Sequence, residues 1–228
     1  MRWALIAPLL DDGVRLVLEV GVGQGALGYR LAERYRYVGL ELDEQALAVA
    51  RSRIRRGTLV HGGLDALPPE DRFDLVVATE VLEHCKDDVA ELRLWRERLV
   101  PRGSLLLSVP AFPERFGPWD VKAGHFRRYE RDGLAATLRA AGFEPVAIRT
   151  YGFPLGNLLE AARDAVARSE HAEASMAERT AASGRLLQPS RATGWLTAAA
   201  GAVGGVLQRP FTASRLGVGF VALATARD

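Results

Sequence analysis

The amino-acid sequence predicts an α/β fold: a doubly wound, seven-stranded, mostly parallel sheet with a helical insertion before the last strand. Three observations predict it. An apolar run, Val17-Leu18-Glu19-Val20, turns through Gly21-Val22-Gly23-Gln24-Gly25 into a helix-like stretch. Strand-like and helix-like segments then alternate through five strands, as expected of parallel strands joined by helical crossovers. Roughly sixty residues separate the sixth and seventh strand-like runs, far more than a usual connection of about 2–6.

Arg15 to Val20 reads as a buried strand, and Ala26 to Tyr35 as a helix with Leu27, Leu31 and Tyr35 at helical spacing. Tyr37 to Glu41 is a second strand. Asp43 is placed to cap a helix running to about Arg55, because its side chain can accept from amides of the first turn. Thr58 to His61 is a short third strand and Phe73 to Thr79 a strong fourth. Val89 to Leu99 is helical, and Pro101-Arg102-Gly103 supplies turn residues to close it. Ser104 to Val109 is the fifth strand, Glu130 to Ala141 a helix ended by Gly142, Glu144 to Tyr151 the sixth strand and Gly217 to Thr225 the seventh. Within the insertion, Leu158 to Arg179 reads as an amphipathic helix, Thr180 to Thr193 as a polar loop and Gly194 to Gln208 as a small-residue helix. The expected organisation is a main domain, residues 1–151 plus 217–228, interrupted by an insertion, 152–216.

Composition narrows the class. A chain of 228 residues with 48% hydrophobic and 25% charged residues can bury the core of one large domain. A net charge of only +2 gives no reason to expect nucleic-acid binding. The single Cys85 excludes an internal disulfide and a CxxC metal site, and suits a reducing compartment. The N-terminal apolar run soon meets Asp11 and Asp12 and lacks a signal-peptide design. No stretch is long and apolar enough to predict a membrane span, the nearest being Trp195 to Leu207, so a cytoplasmic protein is expected.

The glycine turn carries the first functional signal. Gly21, Gly23 and Gly25 let the chain turn tightly and let a ligand touch the backbone. Glu41 ends the next strand, where a carboxylate can accept both hydroxyls of a ribose. Ligands of such sheets sit beyond the carboxyl ends of the strands. Gly23-Gln24-Gly25-Ala26-Leu27-Gly28 also matches the GxGxxG string of dinucleotide sites, which would require a pyrophosphate at the helix start.

Framed as Glu19-x-Gly21-x-Gly23-x-Gly25, the turn resembles motif I of the class I S-adenosylmethionine-dependent methyltransferases. Val38-Gly39-Leu40-Glu41-Leu42-Asp43, Gly63-Leu64-Asp65-Ala66-Leu67-Pro68, Phe73-Asp74-Leu75-Val76-Val77-Ala78-Thr79-Glu80-Val81-Leu82-Glu83-His84 and Leu99 to Pro110 are similar to later motifs of that family, in the same order. The resemblance covers about Arg15 to Tyr151, with the last strand at Gly217 to Thr225. It implies a Rossmann-like methyltransferase fold and a site for S-adenosylmethionine. The implied cofactor residues are Glu19, Gly21, Gly23, Gly25, Glu41 at the ribose, Leu42 beside the adenine, Asp65 at the adenine amino group, Ala66, and Glu80. The expected reaction is methyl transfer to an oxygen of a small-molecule or lipid-like acceptor, with nitrogen and carbon left open. A nicotinamide-dependent oxidoreductase and a non-catalytic cofactor-binding protein are the competing classes.

Glu80, Glu83 and His84 are spaced i, i+3, i+4, which on a helix start puts them on one face. With His125 they form a reasonable ligand set for Mg, Mn, Fe or Zn. ExxEH with a later His is similar to ubiquinone-biosynthesis O-methyltransferases and to small-RNA 3′-terminal 2′-O-methyltransferases, and that resemblance implies Lewis-acid activation of an acceptor hydroxyl. The alternatives are that His84 or His125 is a general base, or that Glu83 and His84 only cap or pack. Arg127 and Arg128 read as an anion site, or as a helix entry with one arginine paired to Glu130 or Asp132. His61 and His171 are assigned surface or packing roles.

The insertion leaves the sheet on the face expected to bind the cofactor. It is expected to roof the acceptor pocket or to form a homodimer contact. Residues 195–207 lack the basic polar face of a helix that lies on a membrane. Ala111 to Trp119 leaves the fifth strand on the same side, and its aromatics are expected to line an apolar pocket.

Overall fold

The computed structural model describes residues 1–169 and 203–227. Its centre is one seven-stranded sheet in the order β3-β2-β1-β4-β5-β7-β6. The strands are β1 (Leu16–Val20), β2 (Arg36–Glu41), β3 (Thr58–His61), β4 (Phe73–Thr79), β5 (Leu99–Pro110), β6 (Phe143–Tyr151) and β7 (Gly219–Ala226). Strands β1 to β5 run parallel, while β7 is antiparallel to both β5 and β6. Strand β1 has β2 on one side and β4 on the other, so the chain reverses its direction of progress across the sheet between β1 and β4. Such a switch point leaves a crevice at the carboxyl ends of the two strands.

Both faces of the sheet are covered, which is why its middle strands are almost continuously apolar. On one face Trp95 and Leu92 of α4 (Asp88–Glu97) and Leu134 and Leu138 of α6 (Arg131–Ala140) pack on Leu18, Val76, Leu105 and Leu107. On the other, Leu5 and Ile6 of α1 (Arg2–Ile6), Leu31 of α2 (Gly28–Ala32) and Ala50 of α3 (Glu44–Arg53) pack with Val17, Val77 and Leu106. Asp43 caps α3 as expected, its Oδ1 accepting from Gln45 N at 2.8 Å and Ala46 N at 3.3 Å.

Several boundaries differ from the sequence reading. Helix α2 spans only Gly28–Ala32, because the glycine turn continues through Leu27 before the helix begins. Pro101-Arg102-Gly103 does not close α4; it lies inside β5, where Arg102 takes φ 58° and the pairing with β4 shifts register. Two helices lacked a periodic signal of useful length: α1, and α5 (Pro118–Ala123), each five or six residues long. Phe112 and Trp119 are 2% and 9% exposed and belong to the core, leaving Phe116, at 40%, as the exposed aromatic of that stretch.

The insertion begins with α7 (Leu155–Ser169), three residues before the expected start. Glu160 of α7 pairs with Arg128 and Arg115, Asp164 Oδ1 accepts from Trp119 N at 3.1 Å, and Arg163 lies over the Trp119 ring at 5.4 Å. These contacts seat α7 against α5. Residues 203–207 are helical, as expected for the end of that segment. The expected helix beyond Ser169, the loop Thr180 to Thr193, most of Gly194 to Gln208, and His171 lie outside the described residues. Among the described residues no helix is long and apolar enough to cross a membrane.

Leu106 sits fully buried on β5, in the core cluster that also holds Leu5 and Ile6 of α1. Leu106→Ala should lower unfolding free energy by about 2–5 kcal/mol, the usual cost of a large-to-small change in a core. Urea denaturation checks this; a change under about 1 kcal/mol would show that the face is loosely packed.

Candidate active site

The crevice between β1 and β4 is built on the glycine turn. Gly21 follows β1 at φ 72°, and a Cβ there would meet Val81 Cγ2 at 2.5 Å, so neither backbone nor neighbour admits a side chain. Gly23 takes φ 55°, yet an added Cβ would meet nothing within 4 Å. Its smallness is required by the conformation alone, and the space beside it is open to a ligand. Gly25, at φ 80°, packs against Ala50 of α3.

Glu41 ties this turn to the end of β2. Its Oε2 accepts from Gly23 N at 2.6 Å and its Oε1 from Asp43 N at 2.9 Å. Each oxygen keeps a lone pair, so the carboxylate is fixed in place and can still accept two hydroxyl donors. Beside it Leu42 is 74% exposed, a large apolar side chain offered to solvent. His61 Nε2 meets Leu42 O at 2.9 Å and braces that backbone, a partner the sequence reading did not assign. Asp65 and Ala66 lie exposed on the short turn Leu64–Ala66 after β3.

Glu19 is placed differently from a ligand-contacting residue. It is 1% exposed and accepts from Tyr37 Oη at 2.6 Å, underneath the turn. Burial pushes its carboxyl up to about 8, with the Tyr37 hydrogen bond opposing and the Glu41 charge adding to the shift. Glu19 therefore supports the turn from below.

At the end of β4, Glu80 leaves helical and strand geometry with φ 57°. A non-glycine residue in this region costs about 1–3 kcal/mol, and such outliers gather at functional sites. The turn that follows, Leu82–His84, is a single 3-10 turn. The expected helical face carrying Glu80, Glu83 and His84 therefore does not form. Glu80 Oε1 accepts from Ser108 Oγ at 2.8 Å and Tyr151 Oη at 3.1 Å, and Arg2 Nη1 stands 3.8 Å away. Burial would raise the Glu80 carboxyl, but Arg2, Ser108, His125 and Tyr151 together hold it below the ordinary carboxylate range.

Glu83 points into a separate cluster. Ligand atoms of Glu83, His84 and His125 lie within 4.8 Å of one another, and Glu80 is not part of the group. Glu83 is fully buried, and among the described residues neither of its oxygens has a side-chain partner; His84 Nδ1 is also buried without one among them. Burial, reinforced by the charge of Glu80, drives the Glu83 carboxyl well above its ordinary range. Burial and His125 depress His84 to about 4, so its ring is neutral at pH 7. The two rings meet edge to face with centroids 4.8 Å apart. His125 Nδ1 is 2.7 Å from Asp120 Oδ1, so the proton placed there leaves Nε2 as an acceptor, 3.9 Å from Glu83 Oε1.

Asp120 is fully buried and also takes a forked pair from Arg128, Nε to Oδ1 at 2.9 Å and Nη2 to Oδ2 at 2.7 Å. This corrects the reading of the two arginines. Arg128 is buried on Asp120 and Glu160; Arg127 pairs with Asp88 at 3.0 Å; Glu130 pairs instead with Arg215. Neither arginine forms an open anion site or an exposed helix entry. Sequence reasoning also missed Arg2, Ser108, Tyr151 and Asp120, which reach the site through tertiary folding over spacings of 28 to 106 residues in the case of the Glu80 and Ser108 contacts.

Glu19 generates a pH prediction. With its folded-state carboxyl near 8 and an ordinary unfolded value of 4.5, the native state holds an extra proton between those limits. Stability contributed there is complete below about 4.5 and declines as pH rises through 8. Unfolding free energies measured by urea from pH 5.5 to pH 8.5 should fall less steeply for Glu19→Gln than for wild type. Parallel profiles would show that Glu19 is ionised in the native state.

The geometry agrees with the comparisons to known proteins. A family model described as a methyltransferase domain matches residues 4–148. A protein of Mycolicibacterium smegmatis named as a probable S-adenosylmethionine-dependent methyltransferase is 35% identical over 136 residues, 57% of this chain and 52% of that protein. The ubiquinone biosynthesis O-methyltransferase of Cereibacter sphaeroides is 30% identical over 161 residues, 62% of this chain and 65% of that protein. The chain thus spans about half the length of the first relative and under two thirds of the second. Among solved structures, the [4+2]-cyclase SpnF superposes with a TM-score of 0.59 at 23% identity, over 99% of this chain and 80% of that one, a likeness of fold alone. The sheet order, the glycine turn tied to Glu41 and the family match lead to one conclusion: the chain belongs to the methyltransferase domain family.

Proposed function

We propose that the chain binds S-adenosylmethionine across the carboxyl ends of β2, β1 and β4 and transfers its methyl group to an oxygen of a small-molecule or lipid-like acceptor. The single observation that carries the donor assignment is the Glu41 carboxylate, held by two amides with acceptor capacity left on both oxygens. Gly23 supplies the open backbone beside it, and Leu42 an exposed apolar surface for a base. The donor supplies a methyl on a positively charged sulfur. The protein's part is to hold donor and acceptor in line.

The competing dinucleotide reading is disfavoured by the same geometry. Gly23 N already donates to Glu41, and a carboxylate at that point repels a pyrophosphate. Oxygen as acceptor is supported by the O-methyltransferase relative and by His125, whose Asp120 partner leaves Nε2 free to take a hydroxyl proton and steadies the resulting imidazolium.

A second reading concerns Glu83. A buried carboxylate with neither oxygen partnered by a side chain is costly unless it is protonated or bound to a cation. With His84 and His125 it fits a divalent ion such as Mn or Zn. Such an ion, when bound, would act as a Lewis acid on the acceptor oxygen. Glu80, occupied by Ser108 and Tyr151, belongs to the donor side.

Two measurements test these readings. In calorimetry, S-adenosylhomocysteine should bind and NAD should not, and Glu41→Ala should weaken binding by about 1.5–3 kcal/mol, the worth of hydrogen bonds to a charged group. Unchanged affinity would place the ribose elsewhere. Mn or Zn should raise the melting temperature of wild type but not of Glu83→Gln; equal shifts would leave Glu83 simply protonated.

A further inference from the structure

We propose that the sheet carries a second binding site at the amino ends of β1, β2 and β3, where Arg34, Arg36 and Arg56 take the diphosphate group of a small ligand. This edge lies opposite the crevice, since Arg36 and Glu41 stand at the two ends of β2. The starting point is a difference among the arginines. Arg98 donates to Pro68 O and Leu64 O, Arg127 pairs with Asp88, and Arg215 pairs with Glu114 and Glu130. Arg36 and Arg56 have no side-chain hydrogen bond or ion pair among the described residues. Arg34 has only the Trp3 ring, 6.0 Å away, which leaves its N–H donors unused.

These three side chains line one groove of about 450 Å³, together with the apolar Leu16, Ala32 and Val38. Among the described lining residues three guanidiniums face a single carboxylate, Glu33. Asp74, at the same end of β4, is spent on backbone: its Oδ2 accepts from Arg15 N at 2.9 Å and Leu16 N at 2.8 Å. Like charges on one concave surface repel, and a bound anion removes that cost while filling their forked donors. The volume sets the size of the ligand. Pockets for organic ligands hold about 300–1,000 Å³, which is more than a lone phosphate fills. Two phosphoryl groups match the excess of positive charge, and the apolar lining takes the group they are attached to.

The backbone that presents these arginines is fixed. Arg36 opens β2 opposite Leu16, and its amide donates to Arg15 O at 2.9 Å. Thr58 opens β3 opposite Val38. Between Arg56 and Thr58, Gly57 takes φ 99°, and a Cβ there would meet Tyr37 O at 2.6 Å. The chain carrying Arg56 is thus pressed against β2 with no room for a side chain between them. Arg36 and Arg56 therefore stand on neighbouring backbones held in register, a firmer base for a binding site than two arginines on a loose loop.

Calorimetry on the full chain at low ionic strength tests the site, with inorganic pyrophosphate and uridine diphosphate as probes. Wild type should bind pyrophosphate, with an affinity that falls as added salt screens the charges. Arg36→Gln combined with Arg56→Gln should weaken both probes at least ~10-fold, the worth of one charge-assisted hydrogen bond or more. Arg36 and Arg56 are exposed, so the double variant should melt with wild type. Arg168→Gln, exposed on α7 and outside the groove, should change nothing. Tighter binding of uridine diphosphate would assign the site to an organic diphosphate, and equal affinity to the free anion. A wild type that binds no pyrophosphate would overturn the proposal, as would a double variant of undiminished affinity. Equal weakening by Arg168→Gln would also overturn it, because the attraction would then belong to the whole surface.

Discussion

Gly23 lies in the turn after β1 and Glu41 ends β2, yet a single short hydrogen bond makes them one structural unit. The Gly23 amide donates to Glu41 Oε2 at 2.6 Å, and the Asp43 amide fixes the other oxygen. That arrangement requires Gly21 and Gly23 to take positive φ, requires β1 and β2 to lie adjacent and parallel, and sets where α3 begins. If the turn relaxed, the carboxylate would lose its orientation and the crevice its floor. Everything assigned to the donor follows from this tie.

Four buried or half-buried acids crowd the same edge, and their surroundings separate them chemically. Glu19, under the turn with only a phenol for company, is pushed up to about 8. Glu80 is held ionised by Arg2, Ser108 and Tyr151 despite its burial. Asp120 is also held down against burial, by His125, Arg128 and the Gly117 amide. Glu83 is helped only by its backbone amide and the more distant Arg2, and burial with the Glu80 charge drives it upward. Carboxylates of similar intrinsic acidity thus divide into a structural proton carrier, a cation partner, a histidine-orienting group and a cation- or proton-dependent group. The proposed division of labour between donor side and acceptor side follows those environments.

The fold was largely legible in the sequence, since its signals are local. The apolar run of β1, the glycines after it and the acid ending β2 specify strand, turn and strand without reference to the rest of the chain. Pairing of β7 between β5 and β6, in contrast, has no local signature, and neither does the entry of Arg2 into the site. The Glu80, Glu83 and His84 spacing misled because a helical face presumes helical backbone, and Glu80 at φ 57° breaks it. Arg127 and Arg128 misled for another reason: their partners, Asp88 and Asp120, lie 39 and 8 residues away in the chain, on α4 and α5. The short α5 gave no periodic signal, so Asp120 had no visible reason to face His125. The proposed donor side rests on local chemistry; the proposed acceptor side depends on tertiary contacts.

A crystal structure of the chain with S-adenosylhomocysteine bound would show where the ribose lies. Both ribose hydroxyls should sit within hydrogen-bond distance of Glu41, with the Gly23 and Asp43 amides still on that carboxylate. A nucleoside ordered elsewhere, with Glu41 touching only those two amides, would contradict it.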